Sequence, residues 1–115
     1  MIFEGGYLNG KMNGIGKEYD KDDILLFEGE YLNGERNGMG KEYLNKELIF
    51  EGEYLNNKRW NGVGKEYGYN GQLKYEGGYL NGERNGKGKK YHDNGIILFE
   101  GNFSNGKLNG IGYFS

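Results

Sequence analysis

Aromatic and polar residues alternate along short stretches of this chain. In Phe27-Glu28-Gly29-Glu30-Tyr31-Leu32 the aromatic residues and Gly29 fall on one side of an extended chain, and Glu28, Glu30 and Leu32 on the other. That period of two predicts a β-strand. Leu32 to Asn37 supply turn formers, and Gly38-Met39-Gly40-Lys41-Glu42-Tyr43 predicts a second short strand. The same hairpin recurs as FEGGYLNGKMNGIGKEY from Phe3, FEGEYLNGERNGMGKEY from Phe27, FEGEYLNNKRWNGVGKEY from Phe50, YEGGYLNGERNGKGKKY from Tyr75 and FEGNFSNGKLNGIGYFS from Phe99, at steps of 24, 23, 25 and 24 residues. A period in this range marks a solenoid or array. Between copies, Tyr69-Asn70-Gly71 and Asp93-Asn94-Gly95 predict tight turns with positive φ at both central positions. The expected fold is all-β: an elongated single-layer solenoid or ribbon of about five stacked antiparallel hairpins, one domain over residues 1–115. At about 4.8 Å per strand it would extend roughly 48 Å.

Each second strand carries two glycines two positions apart, as at Gly38 and Gly40. Missing side chains cost a strand packing and chain entropy. The cost is offset if a ring lies over the gap, and the aromatic pair of the first strand is the candidate. Stacking then predicts one ladder of Phe3, Phe27, Phe50, Tyr75 and Phe99 and another of Tyr7, Tyr31, Tyr54, Tyr79 and Phe103.

Composition changes the picture in three ways. The 24 glycines among 115 residues would suggest disorder, but the aromatic residues stand at fixed offsets from them, which argues for order. A formal charge of −2, without a basic block, gives no sign of a nucleic-acid partner or a polybasic membrane anchor. Cysteine is absent, which removes disulfides and thiolate metal sites and fits a cytoplasmic protein. No apolar run approaches the roughly 20 residues of a membrane-spanning helix, and nothing at the N-terminus reads as a secretion signal.

The pattern aromatic-Glu-Gly-x-aromatic-x-Asn-Gly-x-x-x-Gly-x-Gly resembles the MORN repeat (membrane occupation and recognition nexus), and the resemblance covers essentially the whole chain. The usual repeat has an aromatic residue two positions beyond the second glycine, where this chain has Glu18, Glu42, Glu66, Lys90 and Phe114; Tyr19, Tyr43, Tyr67 and Tyr91 follow one position later. That shift is similar to the YwqK-type variant of the repeat.

Catalytic chemistry is thin. His92 is the one histidine and sits in a turn segment, and Ser104 and Ser115 are the only serines, with no threonine. Gly82 to Lys89 lack the spacing and the Ser or Thr of a phosphate loop. Asp20-Lys21-Asp22-Asp23 starts like a calcium loop, but Tyr31 stands where a bidentate Glu is needed. No enzyme activity, metal or cofactor is expected. Glu4, Glu28, Glu51, Glu76 and Glu100 alternate with Lys17, Lys41, Lys65 and Lys89 on neighbouring strands, a checkerboard that disfavours anionic lipid as a partner.

Two features stand above the repeat. Asn57-Lys58-Arg59-Trp60-Asn61 contains an extra residue, placing the single Trp beside Arg59 in a loop; Arg59 and Trp60 are partner-binding candidates, or the ring folds back over neighbouring loops. Tyr19, Tyr43, Tyr67 and Tyr91 have parity opposite to the glycines and are expected beside Leu8, Leu32, Leu55 and Leu80, either lining a partner groove or packing between repeats. The open ends of a solenoid could also self-associate. The expected function is a non-catalytic scaffold for protein–protein interaction. The resemblance implies two alternatives: a peripheral module for phosphoinositides or other anionic lipids, and an antitoxin-type or immunity-type binder of one protein.

Overall fold

A computed structural model of the chain describes residues 2–109. It is all-β, with no helix among the described residues. Contacts divide the chain into two compact units, residues 1–59 and 60–115. The first contains β1 (Ile2–Leu8), β2 (Lys11–Tyr19), β3 (Leu25–Leu32), β4 (Glu35–Leu44) and β5 (Glu47–Leu55), each paired antiparallel with the next. The second holds most of β6 (Lys58–Tyr67), then β7 (Leu73–Leu80), β8 (Glu83–Tyr91), β9 (Ile97–Ser104) and β10 (Lys107–Asn109), paired likewise. Each unit is one open layer of consecutive hairpins, as the period of two predicts. Phe114 and Ser115 lie outside the described residues.

Two turn types occur, alternating except at Asn45-Lys46 (49° and 71°), a turn between copies that takes the within-copy type. Within copies, both central residues take positive φ, as in Asn9-Gly10 (52° and 79°), Asn33-Gly34 (51° and 84°) and Asn81-Gly82 (52° and 83°). These are the mirror-image turns whose twist suits a hairpin. Between copies the predicted geometry is wrong at two places. Gly71 (80°) and Gly95 (87°) alone are left-handed there, because the side chains of Asn70 and Asn94 accept hydrogen bonds from the N–H groups of Gln72 and Ile96, both 3.0 Å. Such side-chain-to-backbone turns close a three-residue loop. The loop at Asp20 is built the same way: its carboxylate accepts the N–H groups of Asp22 (2.8 Å) and Ile24 (3.0 Å).

The register lines the glycines up. Gly5, Gly16, Gly29, Gly40 and Gly52 are successive cross-strand partners in the first unit, and Gly64, Gly77, Gly88 and Gly101 in the second. A Cβ on Gly40 would stand 2.5 Å from Cζ of Phe27, and one on Gly88 2.9 Å from Cε1 of Tyr75. The ring of each first strand therefore occupies the space that the glycine of the second strand vacates.

The two expected ladders interdigitate into one zigzag. Phe3 meets Tyr31 at 4.9 Å between ring centroids, Tyr31 meets Phe27 at 5.5 Å, Phe27 meets Tyr54 at 5.0 Å and Tyr54 meets Phe50 at 5.3 Å, all close to perpendicular. The second unit repeats this through Tyr79, Tyr75, Phe103 and Phe99. Edge-to-face geometry sets the positive ring edge against the negative face and contributes about 0.5–1.5 kcal/mol per pair beyond burial. Phe27 and Tyr75 are completely buried, although the sheet has one layer. Their cover includes guanidinium groups: Arg36 lies 4.2 Å from the Phe27 ring centroid, Arg59 4.8 Å from Phe50 and Arg84 4.5 Å from Tyr75.

Candidate interaction surface

The arginines over the rings are held by the glutamates two positions beyond the second glycine. Glu18 accepts hydrogen bonds from the Tyr31 hydroxyl (2.6 Å) and Arg36 Nε (2.7 Å). Glu42 accepts from Tyr54 (2.7 Å) and Arg59 (3.1 Å), and Glu66 from Tyr79 (2.6 Å) and Arg84 (2.8 and 3.0 Å). Each carboxylate thus ties its own copy to the aromatic and the arginine of the next. Glu18 is only 6% exposed, and no buried side-chain nitrogen or oxygen among the described residues lacks a partner. Burial, then the bond to Glu18, pushes the Tyr31 hydroxyl far above the usual tyrosine range; Glu42 does the same to Tyr54. Burial alone would raise the Glu42 carboxyl, but the bonds from Tyr54 and Arg59 and the charge of Arg59 hold it below the usual carboxylate range.

This arrangement consumes one of the candidates. Arg59 lies in β6, not in a loop, and takes the place that Arg36 and Arg84 take in their copies. The extra residue is Trp60, which is half-buried in the same strand; its carbonyl accepts the N–H of Gly82 at 2.9 Å, as Met12, Arg36 and Arg84 accept from the turns of later copies. The insertion is absorbed within β6 and lengthens no turn.

The tyrosine series does lie on the opposite face, and its hydroxyls reach the glutamate ladder. Tyr43 donates to Glu28 (2.8 Å), Tyr91 to Glu76 (2.6 Å) and Tyr19, at 3.5 Å, to Glu4. Tyr67 is half-buried like the others. Burial, then the bond to Glu76, pushes the Tyr91 hydroxyl up to about 12. The expected neighbourhood with the leucines is corrected by the register: Tyr43 pairs with Leu48 at one end of its hairpin, whereas Leu32 pairs with Glu35 at the other. Tyrosines and leucines form two margins of this face.

Between those margins the first unit has an open surface. Glu4, Lys17, Glu28, Lys41 and Glu51 are successive cross-strand partners, which is the predicted checkerboard. Beside that row, Ile15 is 71% exposed and Met39 57% exposed. They border a trough of about 290 Å³ whose lining includes Gly16, Gly29 and Gly40. A Cβ on any of these three glycines would point towards the rings on the other face, so the walls of the trough are the flanking side chains of Ile15, Lys17, Glu28, Met39, Lys41 and Glu51. In the second unit, a polar recess is lined by Lys74, Lys90, Tyr91, His92, Asp93 and Asn94.

The Glu–Tyr–Arg sets escaped sequence reasoning, although a signal was present. Residues 13 and 18 positions after Glu18 and Glu66 are Tyr and Arg, and after Lys90 they are Phe103 and Leu108. Where the carboxylate is lost, both of its donors are lost with it.

His92 stands exposed in its turn, and the described residues hold no group of His, Asp and Glu arranged to bind a metal. No helix among them is long and apolar enough to cross a membrane. No curated protein matches the chain. The family model of the MORN repeat matches residues 3–23, 27–46, 75–96 and 99–115, while the copy containing Trp60 lies outside these stretches. With most of its length covered by matches that coincide with the hairpins, the chain belongs to the MORN-repeat family, a class of protein- or membrane-interacting modules.

Proposed function

We propose that the chain is a non-catalytic cytoplasmic scaffold that binds another protein through the open face of its hairpins. The observation that carries this reading is the contrast in exposure within the first unit. Phe27, Tyr31 and Glu18 are buried among partners from their own chain, while Ile15 and Met39 stand more than half exposed on the other face. Apolar side chains grouped on a rigid sheet with charged neighbours are the usual makings of a protein interface. An anionic membrane is a poorer match, because Lys17 and Lys41 each lie between two glutamates.

Affinity capture from the source cells tests this with three baits: the native chain, Met39→Glu and His92→Ala. A protein partner retained by the native chain and by His92→Ala, but lost with Met39→Glu at unchanged thermal stability, is the expected result. A partner retained equally by Met39→Glu, or recovery only with phosphoinositide vesicles, would contradict it.

A further inference from the structure

The geometry points to a basic amphipathic helix of a partner protein, laid across the strands of the first unit, as the occupant of the trough between Ile15 and Met39. This deepens the protein-binding reading above and rests on it.

The row beside the checkerboard sets its chemistry. Ile15 is the cross-strand partner of Glu30, and Met39 that of Glu53. The Glu30 carboxylate also reaches the backbone N–H of Met39 at 2.7 Å, which places it between the two apolar side chains. Across the strands the row therefore reads Ile15, Glu30, Met39, Glu53: apolar, acidic, apolar, acidic. With strands about 4.8 Å apart, like groups recur roughly every 10 Å. A helix matches that interval, since residues i and i+7 are about 10.5 Å apart along its axis. Apolar side chains at those positions enter the trough, and Lys or Arg half-way between them meets Glu30.

Charge selects the sign of the partner. Glu4, Glu28, Glu30, Glu35, Glu51 and Glu53 share this face with Lys11, Lys17 and Lys41. Glu28 and Glu30 receive hydrogen bonds from a tyrosine hydroxyl and a backbone N–H, neutral donors that leave the negative charge in place. An acidic helix, an anionic bilayer or the same face of a second copy would each bring like charge against like. A cationic helix with two apolar anchors satisfies both the trough and the carboxylates, in the manner of helix-in-groove recognition.

Synthetic helices of about five turns supply the probe. One carries Leu at i and i+7 with Lys on the flanks, a second replaces Lys by Glu, and a third scrambles the first. Binding is read by fluorescence anisotropy and by methyl NMR of Ile15 and Met39. The Leu/Lys helix is expected to bind at least about tenfold more tightly than either control, an advantage of about 1.4 kcal/mol. It should shift both methyl signals and weaken as salt rises. Glu30→Gln/Glu53→Gln, which keeps the acceptor oxygens, should cut its affinity by about tenfold. Equal binding of the Leu/Glu helix, or shifts confined to other residues, would overturn the proposal. So would movement of the Met39 signal on adding phosphoinositide vesicles alone, or its movement with protein concentration together with a dimer mass by light scattering. If the Leu/Lys helix fails while a captured cellular partner is still lost with Met39→Glu, the cationic-helix assignment falls and the protein-binding reading stands.

Discussion

The β3–β4 hairpin presents two faces made from the same residues in alternation, and they have opposite fates. On one, Phe27, Tyr31, Arg36 and Glu42 are engaged with rings or charges of neighbouring copies. On the other, Met39 is open to solvent, and exposed Lys41 meets half-buried Glu28 and exposed Glu51 as cross-strand partners. The difference teaches how a one-layer sheet dispenses with a second layer. Glycines let rings sit down onto the backbone, and guanidinium groups cover the rings. Stability is thereby concentrated on one side, which leaves the other free for the binding role proposed above.

The same face also differs from one copy to the next. Glu18, Tyr31 and Arg36 form a closed set, whereas the equivalent positions Lys90, Phe103 and Leu108 contain neither carboxylate, hydroxyl nor guanidinium. The three positions change together because a half-buried carboxylate without donors, or a guanidinium without a carboxylate, is costly.

The largest effect should come from removing a ring. Phe27→Ala is expected to cost about 3–5 kcal/mol, read as a lower urea midpoint, and an equal loss on truncating Met39 would erase the contrast between faces. Arg36→Ala strands Glu18 and should cost about 2–3 kcal/mol, below the value for a fully buried pair because Arg36 retains 21% side-chain exposure. Glu18→Lys/Tyr31→Phe/Arg36→Leu copies the last junction into the first; it should cost about 1 kcal/mol, less than Arg36→Ala alone. A triple variant at the sum of its single losses would show that the three residues act independently.

Acid should act through the same face. The folded Glu42 carboxyl lies below its unfolded value of about 4.3. Its contribution is therefore complete above that pH and is lost as pH falls through the folded value. Urea midpoints measured from neutral to about pH 3 should decline, and Glu42→Gln should flatten the decline. Tyr54 has the opposite sign: its raised folded value makes its contribution complete below about pH 10 and diminishing above it. A smaller effect belongs to Tyr43→Phe, which removes a hydrogen bond on the open face and should cost about 0.5–1 kcal/mol.

Much of this was legible from spacing. Alternation at Phe27-Gly29-Tyr31 reveals the strands, and the recurrence of Gly-x-Gly reveals where the rings must lie. The turn at Asn70 was misread because Asn-Gly serves two turn types, and its side chain bonded Gln72 instead of freeing its own φ. The expectation of Arg59 in a loop rests on the extra Trp60 beside it, which suggests a longer loop, whereas the extra residue is taken up within β6. Alternation along one strand cannot reveal that a carboxylate 17 residues earlier is the partner of Arg59. The open face was visible only as parity, since exposure depends on what the neighbouring copies cover.

The most direct test compares alanine substitutions on the two faces by equilibrium urea unfolding. The account predicts that Tyr31→Ala and Arg36→Ala lower stability by about 2 kcal/mol or more, while Ile15→Ala and Met39→Ala stay within about 0.5 kcal/mol of the native chain. Losses of more than about 1 kcal/mol at Ile15 and Met39 would mean that the open face is packed in the isolated protein, and would contradict the division of labour proposed for it.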